Sequence, residues 1–292
     1  MEKSAKLIAS NLLKHYLLLT KPGIIVGNLL TAGGGYILAS RGAIDFWTFL
    51  AMLEGLTLII GAACIGNNVI DREADQAMAR TKNRGLATGI VPKKHALTLA
   101  VLMAVGGGVI LGMYTNPLAL ITALLGLFSY VFVYSFAKYK THHGTLIGSV
   151  AGAIPPIVGY TAASGRLDLP ALVLYLILVC WQMPHFYAIA IFRSSDYQKA
   201  SIPVLPLAKG MLHTKLQMIF YALAFLLVSL TLALIDAAGP LYFILMSLGG
   251  FAWMILAIKG LTVLDERKWA RQMFFTSLLL ILVFSGSISL AL

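Results

Sequence analysis

The strongest chemical feature of the sequence is a set of oxygen-bearing side chains at regular spacing. Asn67, Asp71 and Asp75 are separated by steps of four residues. In an α-helix each such step overshoots a full turn by about 40°, so the three side chains share one face. Mg²⁺ prefers oxygen ligands, and it commonly takes one or two carboxylates together with water and phosphate oxygens. The motif therefore predicts a metal site, with a solvated helix end as the alternative.

Basic residues lie within and just after this acidic motif. Arg72 is inside it, and Arg80, Lys82 and Arg84 follow within a few residues. A metal ion that joins carboxylates to a diphosphate leaves phosphate oxygens free, and Arg and Lys are the side chains that bind such oxygens. The segment thus predicts a metal–diphosphate site. The alternative for the basic residues alone is positive charge that orients the chain in a membrane.

A second polar group follows a later apolar segment. Asp196 is flanked by Arg193 and Lys199, but Ala200 stands where a second acid would complete a four-residue step. We expect Asp196 to hold a second metal weakly or to orient one of the neighbouring cations. The alternative is a solvated loop aspartate.

Two other positions could carry chemistry. His185 follows Pro184 inside an apolar segment, and a histidine in such a segment is a candidate ligand or proton carrier. A hydrogen-bonded structural histidine is an equally good interpretation. Tyr134 and Lys138 are four residues apart and could present a phenol and an ammonium group to one cavity. An interfacial tyrosine beside a lysine that reaches toward water is the alternative.

The elements that must position these side chains are membrane helices. Hydrophobic residues make up 59% of the 292 residues and charged residues only 11%, whereas soluble domains carry roughly 25% charged residues. This composition excludes a disordered basic tail and argues against a nucleic-acid-binding globule. Nine segments are long and apolar enough to span a bilayer. They are approximately 17–39, 46–66, 96–113, 117–137, 145–163, 169–191, 216–236, 240–258 and 272–292.

The distribution of positive charge predicts the topology of these spans. Nine spans place 20 of the 22 Lys and Arg residues on the side of the N-terminus, and only Arg41 and Arg166 on the other side. The basic side is therefore predicted to be cytoplasmic. Residues 1–15 combine lysines with leucines and predict an interfacial N-terminal segment. No long soluble segment separates the spans, so we expect a single membrane domain over residues 1–292.

Asp71 and Asp196 each follow a predicted span, and these spans are four apart. An even offset places both loops on one side of the membrane, which indicates a parallel internal repeat with a site between the halves. Glu54 lies within the second span, too far along the helix from Asn67 to join the metal site.

The motif from Asn67 to Asp75, together with Arg80 and Arg84, resembles the first motif of the UbiA superfamily of intramembrane prenyltransferases. Residues 19–23 at the first span also fit. Residues 152–159, 181–186 and 196–206 are similar to the branch that farnesylates haem, the protohaem IX farnesyltransferases. The resemblance runs from about residue 16 to the C-terminus. It departs from the superfamily pattern at Ala200, where an aspartate is common, and this departure argues against two symmetric metals.

The resemblance implies an all-α integral membrane protein of the bacterial inner membrane, with nine helices around a central cavity open to the cytoplasmic side. It implies that haem B, farnesyl diphosphate and water give haem O and diphosphate, and that the product feeds terminal oxidase assembly or haem-handling proteins. Our hypothesis assigns Mg²⁺ to Asn67, Asp71 and Asp75, with Asp196 as a further catalytic residue. The candidate diphosphate-binding residues are Arg72, Arg80, Lys82, Arg84, Lys138 and Lys199. His185 and Tyr197 are candidates for contact with haem.

Two alternatives remain open from the sequence. A prenyltransferase for an aromatic quinone precursor would keep the same metal site and change only the acceptor. A multi-span transporter would also have glycine-rich spans and intramembrane Glu54 and His185. A transport path, however, should carry polar groups at mid-membrane, whereas the acids here cluster at the end of a span.

Overall fold

The computed structural model describes residues 12–290, with side chains up to residue 288, and this part of the chain is helical without any strand. Nine helices in it are long and apolar enough to cross a membrane. The predicted number of spans is therefore confirmed, and the chain is a multi-pass membrane protein. The nine helices, α1 to α9, are Pro22–Ser40, Phe46–Ile70, Lys93–Tyr114, Pro117–Lys140, Gly144–Ser164, Leu169–Phe192, Met211–Leu234, Pro240–Lys259 and Glu266–Leu290.

Several predicted helix ends are wrong by a few residues because charged side chains extend the helices. α3 begins at Lys93 and α9 at Glu266, earlier than their apolar segments predict. Long charged side chains at a helix end can reach toward water while their backbone stays helical, and hydrophobicity alone does not detect that first turn. Most of the predicted interfacial segment, residues 1–11, lies outside the described residues. Residues 12–19 are helical.

The predicted first span is divided in the structure. The helix of residues 12–19 ends before Lys21, which has a positive φ of 54°, and α1 begins at Pro22. Proline suits the first turn of a helix because its missing N–H has no intrahelical partner there. The turn between the two helices places Lys21 at the N-terminal end of α1.

Side-chain caps fix the N-terminal ends of two helices. The Asp45 carboxylate accepts hydrogen bonds from the backbone N–H groups of Trp47 (2.9 Å) and Thr48 (3.0 Å), so α2 begins at Phe46. Asn116 caps α4 by accepting from the Ala119 N–H at 3.0 Å. Such caps satisfy backbone donors that have no partner in the first turn.

Two spans change their helical geometry midway. α4 contains a π-helical turn at Ser129–Tyr134 between regular α-helical segments. α5 consists of Gly144–Gly152 and Ile154–Ser164, which meet at Ala153. Pro155 and Pro156 start the second part, and they cannot donate the hydrogen bonds that would continue the first. A π-helical turn changes the direction of the side chains that follow it.

The helices pack into two groups that share α5. The larger apolar core is formed mainly by α6 to α9, and a smaller core by α1 to α5. Glycines allow close approach within the smaller group. A Cβ on Gly35 would overlap the Pro156 carbonyl, and a Cβ on Gly159 would overlap the Ala32 carbonyl, so α1 and α5 pack backbone to backbone. The central cavity and the internal repeat stay predictions.

Candidate active site

The three predicted metal ligands lie where α2 ends. Asn67 is in its last turn, Asp71 follows its last residue, and Asp75 is in the short helix Arg72–Ala77. Backbone hydrogen bonds join them in sequence: the Asp71 N–H donates to the Asn67 carbonyl (2.9 Å), and the Asp75 N–H donates to the Asp71 carbonyl (2.8 Å). Helical geometry thus continues through the motif, and all three residues are at least 93% buried.

Each of the three side chains is contacted by a different cation. The Lys21 ammonium donates to Asn67 Oδ1 at 2.6 Å, and the Lys138 ammonium donates to Asp71 Oδ2 at 2.5 Å. Those two lysines come from different helices, because Lys21 lies at the start of α1 and Lys138 near the end of α4. Arg84 contacts both oxygens of Asp75, at 3.0 and 2.8 Å. The acidic face is therefore an ion-paired network inside the protein.

The C-terminal end of α4 supplies further contacts. Tyr139 donates its hydroxyl proton to Asp71 Oδ1 at 2.7 Å, and Ser135 accepts from the Asn67 side-chain amide at 2.9 Å. Ser135 follows the π-helical turn directly, and its hydroxyl donates to the Tyr130 carbonyl. Sequence reasoning missed Tyr139 and Ser135. Their proximity to Lys138 was the available signal, but the irregular turn alters which residues share a face.

Lys21 is a third functional candidate that sequence reasoning missed. The sequence marks it only as orienting charge and as part of a family motif. Its pKa is lowered by burial to about 8, with the Arg84 and Lys138 charges acting in the same direction. The signal was its place directly before Pro22, at the same end of the helix bundle as the acids. In the structure Lys21 has a left-handed backbone conformation, and its ammonium group reaches Asn67.

Arg84 is held by a loop that folds back over the end of α2. Within that loop the Thr81 hydroxyl donates to the Asp75 carbonyl at 3.1 Å, and the Gln76 amide donates to the Ala87 carbonyl at 2.8 Å. Leu86 is buried in a small apolar cluster with Leu19, Ile65, Val91 and Ala96. The loop is thus packed against the bundle, and Arg84 is presented to Asp75 from a fixed base.

The loop between α6 and α7 also reaches this region through Tyr197. Burial raises the pKa of Tyr197, and the Asp196 and Asp71 carboxylates act in the same direction, while Arg80 and Arg193 oppose them. Asp196 itself is buried. The second predicted group is therefore linked to the first through the charges that act on the Tyr197 phenol.

Other predicted residues lie apart from this network. Arg72, Lys82 and Lys199 are exposed, and none of them forms an ion pair among the described residues. His185 is buried between α6 and α9. Its Nδ1 lies 2.7 Å from the Ser277 hydroxyl, and its ring stacks on Trp181 with centroids 4.7 Å apart.

The side-chain oxygens of Asn67, Asp71 and Asp75 suit a hard cation only when a substrate supplies further oxygen ligands. Among the described residues, no group of three or more His, Cys, Asp or Glu side chains could hold a metal ion. Two carboxylates and one amide oxygen do suit Mg²⁺ if water and diphosphate oxygens complete its shell. The network joins three cations to two carboxylates and so carries one net positive charge. A complex of one Mg²⁺ with a fully ionised prenyl diphosphate carries one net negative charge and would neutralise it.

Comparisons with known proteins find both relatives in sequence and structures with a similar fold. The model of the UbiA prenyltransferase family matches residues 28–279. A relative from Protochlamydia amoebophila, named Protoheme IX farnesyltransferase, is 46% identical over 277 residues, which cover 95% of this chain and 98% of the relative. One from Pseudomonas syringae pv. tomato with the same name is 45% identical, with 95% and 94% covered.

Solved structures share the architecture at low sequence identity. The structure described as that of a digeranylgeranylglyceryl phosphate synthase superposes with a TM-score of 0.78 at 18% identity, covering 96% of this chain and 99% of the other. A UbiA homolog from Archaeoglobus fulgidus, bound to GPP and Mg²⁺, gives a TM-score of 0.70 at 13% identity, with 94% and 99% covered. These similarities confirm the predicted nine-helix fold class.

Proposed function

The chain belongs to the UbiA prenyltransferase family, and from that premise we propose that it farnesylates haem. In this reaction the farnesyl group of farnesyl diphosphate is transferred to a vinyl group of haem B with addition of water. The products are haem O and diphosphate. The acceptor is supported by relatives of 45–46% identity that carry the name Protoheme IX farnesyltransferase and align over nearly the whole chain. A transporter, the alternative from another class, has no such support.

The observation that carries the chemistry is the paired face of Asn67, Asp71 and Asp75. We propose that these side chains hold Mg²⁺ and that Lys21, Lys138 and Arg84 move from them to the diphosphate oxygens. When bound, Mg²⁺ supplies Lewis-acid stabilisation of the negative charge on the leaving group. The cations of the chain share the remaining phosphate charge. Neutralising the negative charge that develops on the diphosphate lets the allylic C–O bond ionise, and its electron pair leaves on the bridging oxygen.

The aromatic side chains of α4 suit the next step. Tyr130 and Tyr134 stack with centroids 5.3 Å apart, and Lys138 lies 5.3 Å from the Tyr134 ring. Aromatic faces attract cations, so this pair could stabilise the allylic cation beside the diphosphate. Apolar walls around it would exclude water until the haem vinyl group attacks. One water molecule then adds to the cation left on the former vinyl carbon and gives the hydroxyethyl group.

The remaining residues are assigned by their positions. The charges of Asp196 and Arg80 act on Tyr197, and we propose that Tyr197 contacts the haem close to the diphosphate. His185 is proposed to contact haem iron or a propionate from the α6–α9 side. Arg72, Lys82 and Lys199 are exposed, and they stay candidates for drawing the anionic substrate toward the site by long-range attraction.

The site is proposed to face the cytoplasm of a bacterial inner membrane. The acids follow α2, on the side that carries most of the basic residues, and such an excess marks cytoplasmic loops. The N-terminus is then cytoplasmic. Delivery of haem O to terminal oxidase assembly or to haem-handling proteins belongs to the same proposal.

The test is a transfer assay in membranes that contain the protein. Membranes are incubated with haem B, farnesyl diphosphate and Mg²⁺, and mass spectrometry measures the hydroxyethylfarnesyl adduct of haem. A phenolic acid serves as the control acceptor. Haem B should be farnesylated, and the phenolic acid should not be prenylated. Prenylation of the phenolic acid in place of haem would contradict the assigned acceptor and favour a quinone precursor.

A further inference from the structure

Asn68 is a buried polar residue that has no role in the metal site or in the reaction described above. It directly follows Asn67, but it lies on another side of α2 and is only 1% exposed. Its side-chain amide donates to the Leu19 carbonyl at 2.9 Å, and its side-chain oxygen accepts from Arg84 at 3.2 Å. One amide group therefore joins two segments that each bring a cation to the acidic face.

The first of these segments is the turn that carries Lys21. Leu19 is the last residue of the helix 12–19, and a carbonyl at a helix end lacks an intrahelical partner. Asn68 supplies that partner from α2. Two residues later Lys21 adopts φ 54°, a conformation that is unfavourable for a residue with a side chain. A turn of this kind persists only when surrounding contacts hold it, and the bond to Leu19 is one of those contacts.

The second segment is the loop that carries Arg84. A single guanidinium nitrogen contacts both oxygens of Asp75 and also Asn68 Oδ1. The amide oxygen thus gives Arg84 a neutral partner beside its carboxylate. If Asp75 binds a metal ion, that neutral partner would remain and would keep the guanidinium near the face.

We propose that Asn68 is a positioning residue that holds Lys21 and Arg84 at the diphosphate site without contacting metal or substrate itself. The inference rests on the proposed function, because it assumes that a diphosphate binds at this face. It predicts that Asn68 contributes to diphosphate affinity through two cations that it orients.

A matched control separates this role from ordinary structural support. Asn116 also joins two helices through its side-chain amide, which donates to the Thr161 carbonyl at 2.7 Å. It lies at the opposite end of α4, far from the acids in the fold. Loss of either amide should lower thermal stability, but only loss of Asn68 should change diphosphate binding.

The experiment measures binding of inorganic diphosphate with Mg²⁺ to the purified full-length protein by calorimetry. The wild type is compared with Asn68→Leu and Asn116→Leu, two changes of similar size. We expect Asn68→Leu to weaken binding about tenfold or more, because hydrogen bonds that orient charged groups are lost. Asn116→Leu should bind as the wild type does. Unchanged affinity in Asn68→Leu, or an equal loss in Asn116→Leu, would overturn the inference.

A second variant and a ligand-free measurement test the bond to Leu19 by itself. Asn68→Asp keeps an acceptor for Arg84 but has no N–H for the Leu19 carbonyl. Hydrogen exchange of residues 19–21 should therefore be faster in Asn68→Asp and in Asn68→Leu than in the wild type. Wild-type exchange rates in both variants would contradict the role at Leu19. Failure of the wild type to bind diphosphate would instead overturn the proposed function, and the exchange measurement would still decide whether Asn68 holds the turn.

Discussion

At the residue scale, each proposed metal ligand is already engaged by a cation of the chain. Lys21, Lys138 and Arg84 each contact one of the three side chains that would bind Mg²⁺. Buried charges without partners are costly, and these contacts give each buried carboxylate a cationic partner. We therefore propose that metal and diphosphate would enter together, because the diphosphate would give the displaced cations new partners.

Asp71→Asn should abolish farnesyl transfer while the protein still inserts into membranes. The substitution removes a carboxylate from the metal site and leaves Lys138 and Tyr139 without their charged partner, so a loss of at least about a hundredfold is expected. The adduct assay with haem B measures it. Asp236→Asn is the control, since Asp236 is exposed in the loop after α7. Wild-type turnover in Asp71→Asn would show that Asp71 does not serve the reaction.

Lys21→Met should raise the KM for farnesyl diphosphate about tenfold or more and leave the KM for haem unchanged. The change keeps the apolar length of the side chain but removes a buried ammonium group that is proposed to bind phosphate oxygen. Steady-state kinetics with each substrate varied in turn measures both values. The matched change Lys14→Met removes an exposed lysine of the preceding helix and should alter neither value. A rise in the haem KM alone would contradict the assignment.

Binding of Mg²⁺ should depend strongly on diphosphate. Two carboxylates and an amide, all paired with cations, give a weak site for the bare ion, whereas phosphate oxygens add ligands and release the cations. Calorimetry should detect weak or no heat with Mg²⁺ alone and clear binding when inorganic diphosphate is present. Tight binding of Mg²⁺ by the protein without diphosphate would require a site other than the one proposed.

At the element scale, the π-helical turn of α4 decides which side chains meet the acidic face. Ser135, Lys138 and Tyr139 follow the turn, and all three contact Asn67 or Asp71. A π-helical turn contains one residue more than a regular α-helical turn. Removing that residue from Ser129–Tyr134 would make the helix regular and rotate the residues after it by about 100°. π-helical turns are frequent at functional sites for this reason.

Deletion of Val133 should therefore disable the site while the helix persists. Removing one residue turns the π-helical turn into a regular one and rotates the residues after it away from α2. A misplacement of this size is expected to lower kcat/KM for farnesyl diphosphate by about a hundredfold or more. Circular dichroism should report unchanged helix content. The substitution Val133→Ala, at an exposed position of the same turn, keeps the register and should preserve activity. Equal losses in both variants would argue against a register effect.

At the scale of the whole molecule, nine helices form two packed groups, with the acidic face at the end where α2 stops and α3 begins. Leu, Ile, Val and Phe side chains are exposed on the outer faces of the helices, as expected for contact with lipid. The odd number of spans within residues 22–288 places the start of α1 and the end of α9 on opposite sides. The site, the loop that carries Arg84 and the helix 12–19 then share the side on which α1 begins.

The proposed orientation predicts which loops are reachable from each side. A cysteine introduced by Asn83→Cys, in the loop after α2, should react with a membrane-impermeant maleimide only in inverted vesicles. Ala43→Cys, between α1 and α2, should react only in right-side-out vesicles. The native Cys64 and Cys180 are buried and should give a low background. The reverse labelling pattern would show that the acidic face lies outside the cytoplasm.

The sequence by itself determined the number of spans, the segregation of positive charge and the shared face of Asn67, Asp71 and Asp75. These features are local, because hydrophobic length and helical spacing depend only on residues close together in the chain. A short helix and continuous backbone bonds preserve that spacing in the structure. The family motifs added the acceptor, which no spacing rule could supply.

Only the tertiary structure decided how the site is assembled. The contacts of Lys21 with Asn67, of Tyr139 with Asp71 and of His185 with Ser277 join residues that are 46, 68 and 92 positions apart in the chain. Such pairs depend on how helices pack and on irregular backbone, including the left-handed turn at Lys21 and the π-helical turn of α4. Hydrophobic periodicity carries no information on either, because it reports which residues avoid water and not which side chains meet inside the bundle.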